Sequence, residues 1–157
     1  MSKIFLMCGK ICSGKSTCAK QLSREHKAVI LSIDDIMLAL FGQDAGEKHD
    51  HYVEMTEKYL YEKSLEILEL GINVVLDWGF WTREKRDYAR NFYGPRGIEY
   101  EFCYISISDE EWNRRLDKRN KDVKENRSDA YYVDEGLRRK FEAIFEAPEN
   151  EKKVIRM

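Results

Sequence analysis

The sequence predicts an α/β fold, a largely parallel sheet covered by helices, and three observations lead there. Five short apolar runs alternate along the chain with six segments of helical length. Four of those runs are nearly continuous rather than alternating, the pattern of strands covered on both faces. No stretch rich in Gly, Ser or Pro divides the 157 residues, so residues 1–157 read as one domain whose strands are joined by right-handed helical crossovers.

The elements follow in order. Residues 3–8 form the first strand; its apolar run, Ile4 to Met7, is too short for a signal sequence or a membrane span, so no membrane contact is expected. A glycine-containing turn leads to a helix over 15–25. The second strand covers 28–33 and the next helix 35–41. A long helix over 50–70 carries Val53, Leu60 and Ile67 on one stripe with Tyr61, Leu65 and Leu68 beside it, wide enough to pack on a sheet, and Gly71 stops it. The third strand is 72–76, and the helix over 82–92 ends at Gly94-Pro95. The fourth strand is 99–107. Ser108 and Asp109 cap a helix reaching Asn120, followed by a polar segment over 120–129, a helix over 134–145 and a last strand over 153–157.

Composition removes several classes of function. At 43% hydrophobic and 12% aromatic residues the chain has enough apolar material to offset its conformational entropy, which excludes disorder as its main state. Twenty-seven basic residues against 29 acidic ones leave a net charge of -2, so no global field draws it to nucleic acid or anionic lipid. Any phosphate binding must be local. The four cysteines at 8, 12, 18 and 103 form neither a disulfide framework nor a C-x-x-C metal pair, and a reducing, cytoplasmic location fits them.

One motif meets the requirement for a local phosphate site. Gly9-Lys10-Ile11-Cys12-Ser13-Gly14-Lys15-Ser16 matches G-x-x-x-x-G-K-[ST], placed where the first strand ends and a helix begins. Backbone N–H groups of such a loop, with the helix N-terminus behind them, form a concave anion site, and Gly9 and Gly14 permit the close approach of a phosphate chain. Lys15 is placed to reach the β- and γ-phosphates, and the Ser16 hydroxyl to hold Mg²⁺. Lys10 and Cys12 read as loop surface.

Three further groups accompany it. Asp34 and Asp35 stand at the end of the second strand, where one carboxylate can take a proton from an acceptor hydroxyl while the other caps the next helix; Asp34 is favoured as the base. Asp77 ends the third strand, fitting either a contact to a Mg²⁺-bound water or a cap. Arg115 and Arg119 lie at i and i+4 before the polar segment, suggesting a lid around 114–130 whose guanidinium groups neutralise phosphoryl charge. Trp78 to Trp81 either line an acceptor pocket or cover the sheet edge. Arg83 and Arg86 either grip a substrate anion or form a solvated face. His49 and His51, at i and i+2, do not share a helix face and are not read as metal ligands. Phe141 reads as core, and Phe145 with Pro148 as core or as a rest for a base.

With GKICSGKST, LSIDD, VVLDWGFW and RRLDKRN in this order, the chain resembles the small P-loop kinases grouped with phage polynucleotide kinase, chloramphenicol phosphotransferase, gluconate kinase and zeta toxins. The resemblance implies a three-layer P-loop NTPase fold with helices on both faces of a five-stranded parallel sheet in the order 2-3-1-4-5. It implies ATP and Mg²⁺ as cofactors and transfer of the γ-phosphoryl to a hydroxyl. On this basis Gly9, Ser13, Gly14, Lys15, Ser16 and Thr17 bind the nucleotide, Ser16 and Asp77 serve the metal, Asp34 is the base, and Lys15, Arg115 and Arg119 complete the catalytic set. Polynucleotide kinases carry an arginine three residues after the base, where this chain has Met37. A small molecule bearing a hydroxyl is therefore the expected acceptor, ahead of a polynucleotide or nucleoside. The reading of a different class is an ATP-sensing module that binds nucleotide without catalysis.

Overall fold

The computed structural model describes residues 1–128 and 130–157. The elements are β1 (Lys3–Cys8), α1 (Lys15–His26), β2 (Ala28–Leu31), α2 (Ile33–Phe41), α3 (His49–Glu69), β3 (Asn73–Leu76), α4 (Arg83–Tyr93), β4 (Glu99–Tyr104), α5 (Asp109–Lys124), α6 (Glu135–Ile144) and β5 (Val154–Arg156). The five strands form one parallel sheet in the order β2-β3-β1-β4-β5. This is the P-loop NTPase arrangement.

The central strand explains why it reads as an unbroken apolar run. Ile4, Leu6 and Cys8 face one side and pack with Tyr61 and Leu68 of α3 and Ala89 and Tyr93 of α4. Phe5 and Met7 face the other and pack with Ala19 and Leu22 of α1. A strand buried on both faces has no polar positions to alternate with. Within the first core, the Ser64 hydroxyl meets Tyr93 OH at 2.7 Å and donates to Tyr61 O at 2.6 Å, so these polar groups are satisfied where they are buried. The second face continues into a smaller core of Trp112, Leu116 and Val133 under Ile11 and Cys12.

The fourth strand ends at Tyr104, three residues short of its expected end at 107, and two other boundaries differ for local reasons. β2 stops at Leu31 rather than at residue 33, because Ser32 turns the chain and its Oγ accepts the Asp35 N–H at 3.2 Å as the helix cap. Asp34 and Asp35 therefore occupy the first turn of α2 rather than a strand end, and neither is the cap. Helix α5 begins on the Ser108 cap and continues to Lys124, four residues beyond its expected end at Asn120. Asp129 of the polar segment lies outside the described residues. Among the described residues no helix is long and apolar enough to cross a membrane.

Parallel strands all deliver their C-terminal ends to one edge, the place where open α/β sheets gather ligands. Here that edge collects the loop after β1, the first turn of α2 and Asp77 after β3.

Candidate functional site

The loop after β1 has room for glycine alone at its first position. A Cβ on Gly9 would stand 2.8 Å from both Ile105 O and Ser13 Oγ. Gly14 opens α1 with φ of 104°, a left-handed conformation that glycine adopts without steric cost. The Lys15 ammonium is folded back onto the loop and donates to Lys10 O at 2.6 Å. Enclosure by protein lowers the Lys15 pKa to about 8, against the opposing pull of Asp77 and Asp34. Ser16 Oγ donates to Asp77 Oδ2 at 3.0 Å. Among the described residues the buried Ser13 Oγ has no hydrogen-bond partner, which leaves it available to a ligand in the loop.

Two carboxylates face this loop. Asp34 is open to solvent, yet the walls around it disfavour its charge and raise its pKa, with Arg119 and Lys15 pulling the other way and Asp35 adding repulsion. Burial likewise raises Asp77, opposed by the Ser16 hydrogen bond and by Lys15. Lys15, Asp34, Asp77 and Arg119 thus share one electrostatic neighbourhood, although 104 positions separate the first from the last.

The arginine helix docks directly on the loop. Trp112 Nε1 donates to Ile11 O at 2.7 Å, and the Lys10 ammonium lies 4.7 Å from the Trp112 ring centroid and 3.3 Å from Asp109 Oδ1. Arg115 donates through Nε to Glu111 at 2.8 Å and places Nη1 over Gly14, 3.4 Å from where a Cβ would sit. Arg119 Nη1 approaches Cys12 Sγ at 3.7 Å, and the Cys12 thiol donates to Arg115 O at 3.9 Å. Lys10 and Cys12 are therefore docking contacts and not loop surface, and Cys12 accepts a left-handed φ of 62° to make them.

Other expectations are also corrected. Arg86 neither grips a substrate nor faces water: it is fully buried against Glu151. Arg83 is exposed and pairs with Asp87 at 3.7 Å. Trp78 stacks on Phe80 and meets Tyr61 edge-on, and Trp81 meets Phe141 edge-on. Phe145 packs against the core beside Tyr104.

Several contributors escaped sequence reading. Gln43, just past α2, donates to Ala130 O at 2.7 Å and accepts from Tyr132 N at 3.3 Å, clasping the segment after α5. Tyr131 meets His49 edge-on at 6.3 Å. The apolar pair Trp112 and Leu116, one turn apart, was the available signal that α5 buries a face. Gln43 offers no signal at all.

The donors suit Mg²⁺ and a nucleotide. A hydroxyl and a carboxylate are hard oxygen ligands, and Mg²⁺ ordinarily takes one or two of them together with phosphate oxygens. Among the described residues no group of three or more His, Cys, Asp or Glu could hold a metal ion.

A family model described as an AAA domain, AAA_33, matches residues 4–148. The chain belongs to the AAA_33 family. No curated protein matches its sequence. Among solved structures, a sugar kinase from Janibacter is 16% identical, with 100% of this chain and 85% of that chain covered and a TM-score of 0.68. The APS kinase of Mycobacterium tuberculosis, solved with AMPPNP and APS, is 18% identical over 99% of this chain and 88% of that chain, at a TM-score of 0.66. A chain of the Pnkp1/Rnl/Hen1 RNA repair complex is 26% identical over 75% of this chain but only 37% of that one, at a TM-score of 0.66. This AAA_33 member thus has a kinase-like P-loop fold whose neighbours include a nucleotide-bound kinase.

Proposed function

We propose that this AAA_33 protein is an ATP-dependent phosphotransferase that moves the γ-phosphoryl of ATP to a hydroxyl of a small molecule. The observation that carries the reading is the convergence of Lys15, Arg119 and Asp34 at the mouth of the phosphate loop, two cations and a carboxylate in one field. Bound MgATP supplies the phosphoryl group and part of the neutralising charge. The loop amides with Ser13, Lys15 and Thr17 would hold the phosphates, and Ser16 and Asp77 are the residues that would hold Mg²⁺. Arg115 and Arg119, presented by α5, neutralise charge on the transferring group.

In the transfer step the acceptor oxygen bonds to phosphorus as the bond from phosphorus to the β,γ-bridging oxygen breaks. Asp34 receives the hydroxyl proton. Its raised pKa suits that role, since a carboxylate made more basic by its surroundings accepts a proton more readily. A small, phosphate-free acceptor is favoured because Met37, one turn after Asp34, is buried among Ile33 and Leu60 and offers no cation. Residues 1–157 act as one domain in this reading, with 114–130 as its lid, and four free cysteines support a cytoplasmic setting.

The likeness to the RNA repair chain favours a 5′-hydroxyl polynucleotide as the second reading. Incubation with γ-labelled ATP, Mg²⁺, pooled hydroxyl metabolites and a 5′-hydroxyl oligonucleotide separates the two. Label on a metabolite is the expected outcome. Label on the oligonucleotide alone establishes the second reading, and ATP bound with nothing labelled overturns both in favour of an ATP-sensing module.

A further inference from the structure

The most deeply buried ion pair of the molecule takes no part in the chemistry proposed above. Arg86 and Glu151 have side-chain exposures of 0% and 2%, and they meet fork to fork, Nε to Oε1 at 2.9 Å and Nη2 to Oε2 at 2.8 Å. Arg90 adds a second cation, 2.9 Å from Glu151 Oε1, so that although burial works against its charge, Glu151 stays below the usual carboxylate range. Removing two ions from water is costly, and packed apolar groups serve stability as well or better. The pair therefore calls for a role beyond cohesion.

The third direction of Arg86 supplies one. Its Nη1 donates to Phe80 O at 2.8 Å, and the Cys8 thiol approaches the same carbonyl at 3.6 Å. Phe80 is buried with φ of 45°, a left-handed conformation that bulky residues rarely enter and that persists only where neighbours over-determine it. One residue earlier, Gly79 O accepts the N–H of Gly9, the first glycine of the phosphate loop, at 3.1 Å. A Cβ on Gly79 would run into the Trp81 indole, so glycine alone fits beneath that ring. At its start stands Asp77, whose N–H is held by Leu31 O at 2.9 Å and whose carboxylate accepts from Ser16. The turn over 77–80 thus joins Asp77, the Gly9 amide and the Arg86 guanidinium in a continuous series of bonds.

We propose that Arg86, locked by Glu151, is a positioning residue for the nucleotide site: it fixes the strained turn after β3 and through it sets the first glycine of the phosphate loop and Asp77. The segment carrying Glu151 is thereby part of the apparatus that holds the loop in its binding shape, 65 positions from Arg86 in sequence. The same segment is tied to the turn a second time, where Glu146 N donates to Trp81 O at 2.7 Å.

This inference rests on the phosphate-loop reading. Its test measures MgATP affinity and Tm for the whole chain and for Arg86→Lys, Glu151→Gln and Leu68→Ala, at a temperature where each is folded. Leu68 lies in the same core on α3 and makes none of the hydrogen bonds or ion pairs that hold the turn, so its truncation lowers stability while leaving those bonds in place. The expected result is a loss of about tenfold or more in ATP affinity for Arg86→Lys and Glu151→Gln, with Leu68→Ala within about twofold of the parent at a comparable or larger loss in Tm. Affinities for the first two that stay within about twofold, while Tm falls, overturn the proposal and leave the kinase reading intact. If both variants fail to fold, Arg90→Met, which removes the outer cation and keeps both partners of the Arg86–Glu151 fork, must still weaken ATP binding about threefold, and no change there overturns it. A parent chain that binds no MgATP overturns the functional reading and this inference together, whereas binding without phosphoryl transfer overturns only the former.

Discussion

Ser16 Oγ donates a hydrogen bond to Asp77 Oδ2 at 3.0 Å across 61 positions of sequence. A first-turn helix hydroxyl and a strand-end carboxylate meet because β1 and β3 are parallel neighbours with Leu6 opposite Leu76, so both deliver their C-terminal ends to the same edge of the sheet. Asp77→Asn keeps the shape and removes the charge. It is expected to raise the Mg²⁺ concentration needed for half-maximal ATP binding by about 10- to 100-fold, the effect of losing a partner to metal-bound water. Titration of Mg²⁺ at fixed ATP measures it.

Lys15 changes the pH dependence of both folding and binding. Its pKa is about 8 in the free protein against 10.5 ordinarily, so between those values the unfolded chain holds more protons and its contribution to stability rises with pH. Phosphate restores the charged amine. MgATP binding near pH 8.5 is therefore expected to take up a proton, seen as a calorimetric enthalpy that varies with the ionisation enthalpy of the buffer, and Lys15→Met abolishes that variation.

The Ser32 cap decides where α2 begins and hence where Asp34 points. Ser32→Ala leaves the Asp35 N–H without its partner and is expected to cost about 1 kcal/mol in chemical denaturation.

Trp112 holds the arginine helix to the phosphate loop. Trp112→Phe deprives Ile11 O of its donor and is expected to cost about 1–3 kcal/mol, together with weaker ATP binding because Arg115 and Arg119 ride on the same helix. Thermal melts with and without MgATP separate the two effects.

What was legible in the sequence depended on how local its cause was. β1 matches its expected bounds because an apolar run ends at a glycine that packing makes obligatory, and the phosphate loop follows as a contiguous motif. The start of α2 was misplaced because Ser32 and Ile33 look like strand until the Ser32 side chain is seen to accept the Asp35 N–H as the helix cap. Arg86 was misread for a deeper reason: REKRDYAR has the pattern of a solvated helix face, and the partner that buries it arrives 65 residues later. Asp34 shares a field with Lys15 and Arg119, but from the first turn of a helix and not from the strand tip where the sequence placed it.

The most direct test of the account is phosphoryl transfer by Asp34→Asn beside the parent chain, with MgATP affinity measured on both. The substitution removes the proton acceptor and leaves the phosphate loop untouched. The expected result is unchanged ATP affinity within about threefold and transfer slowed by about 100-fold or more. Transfer by Asp34→Asn at the parent rate contradicts the account, because the carboxylate that faces Lys15 and Arg119 would then have no part in the reaction.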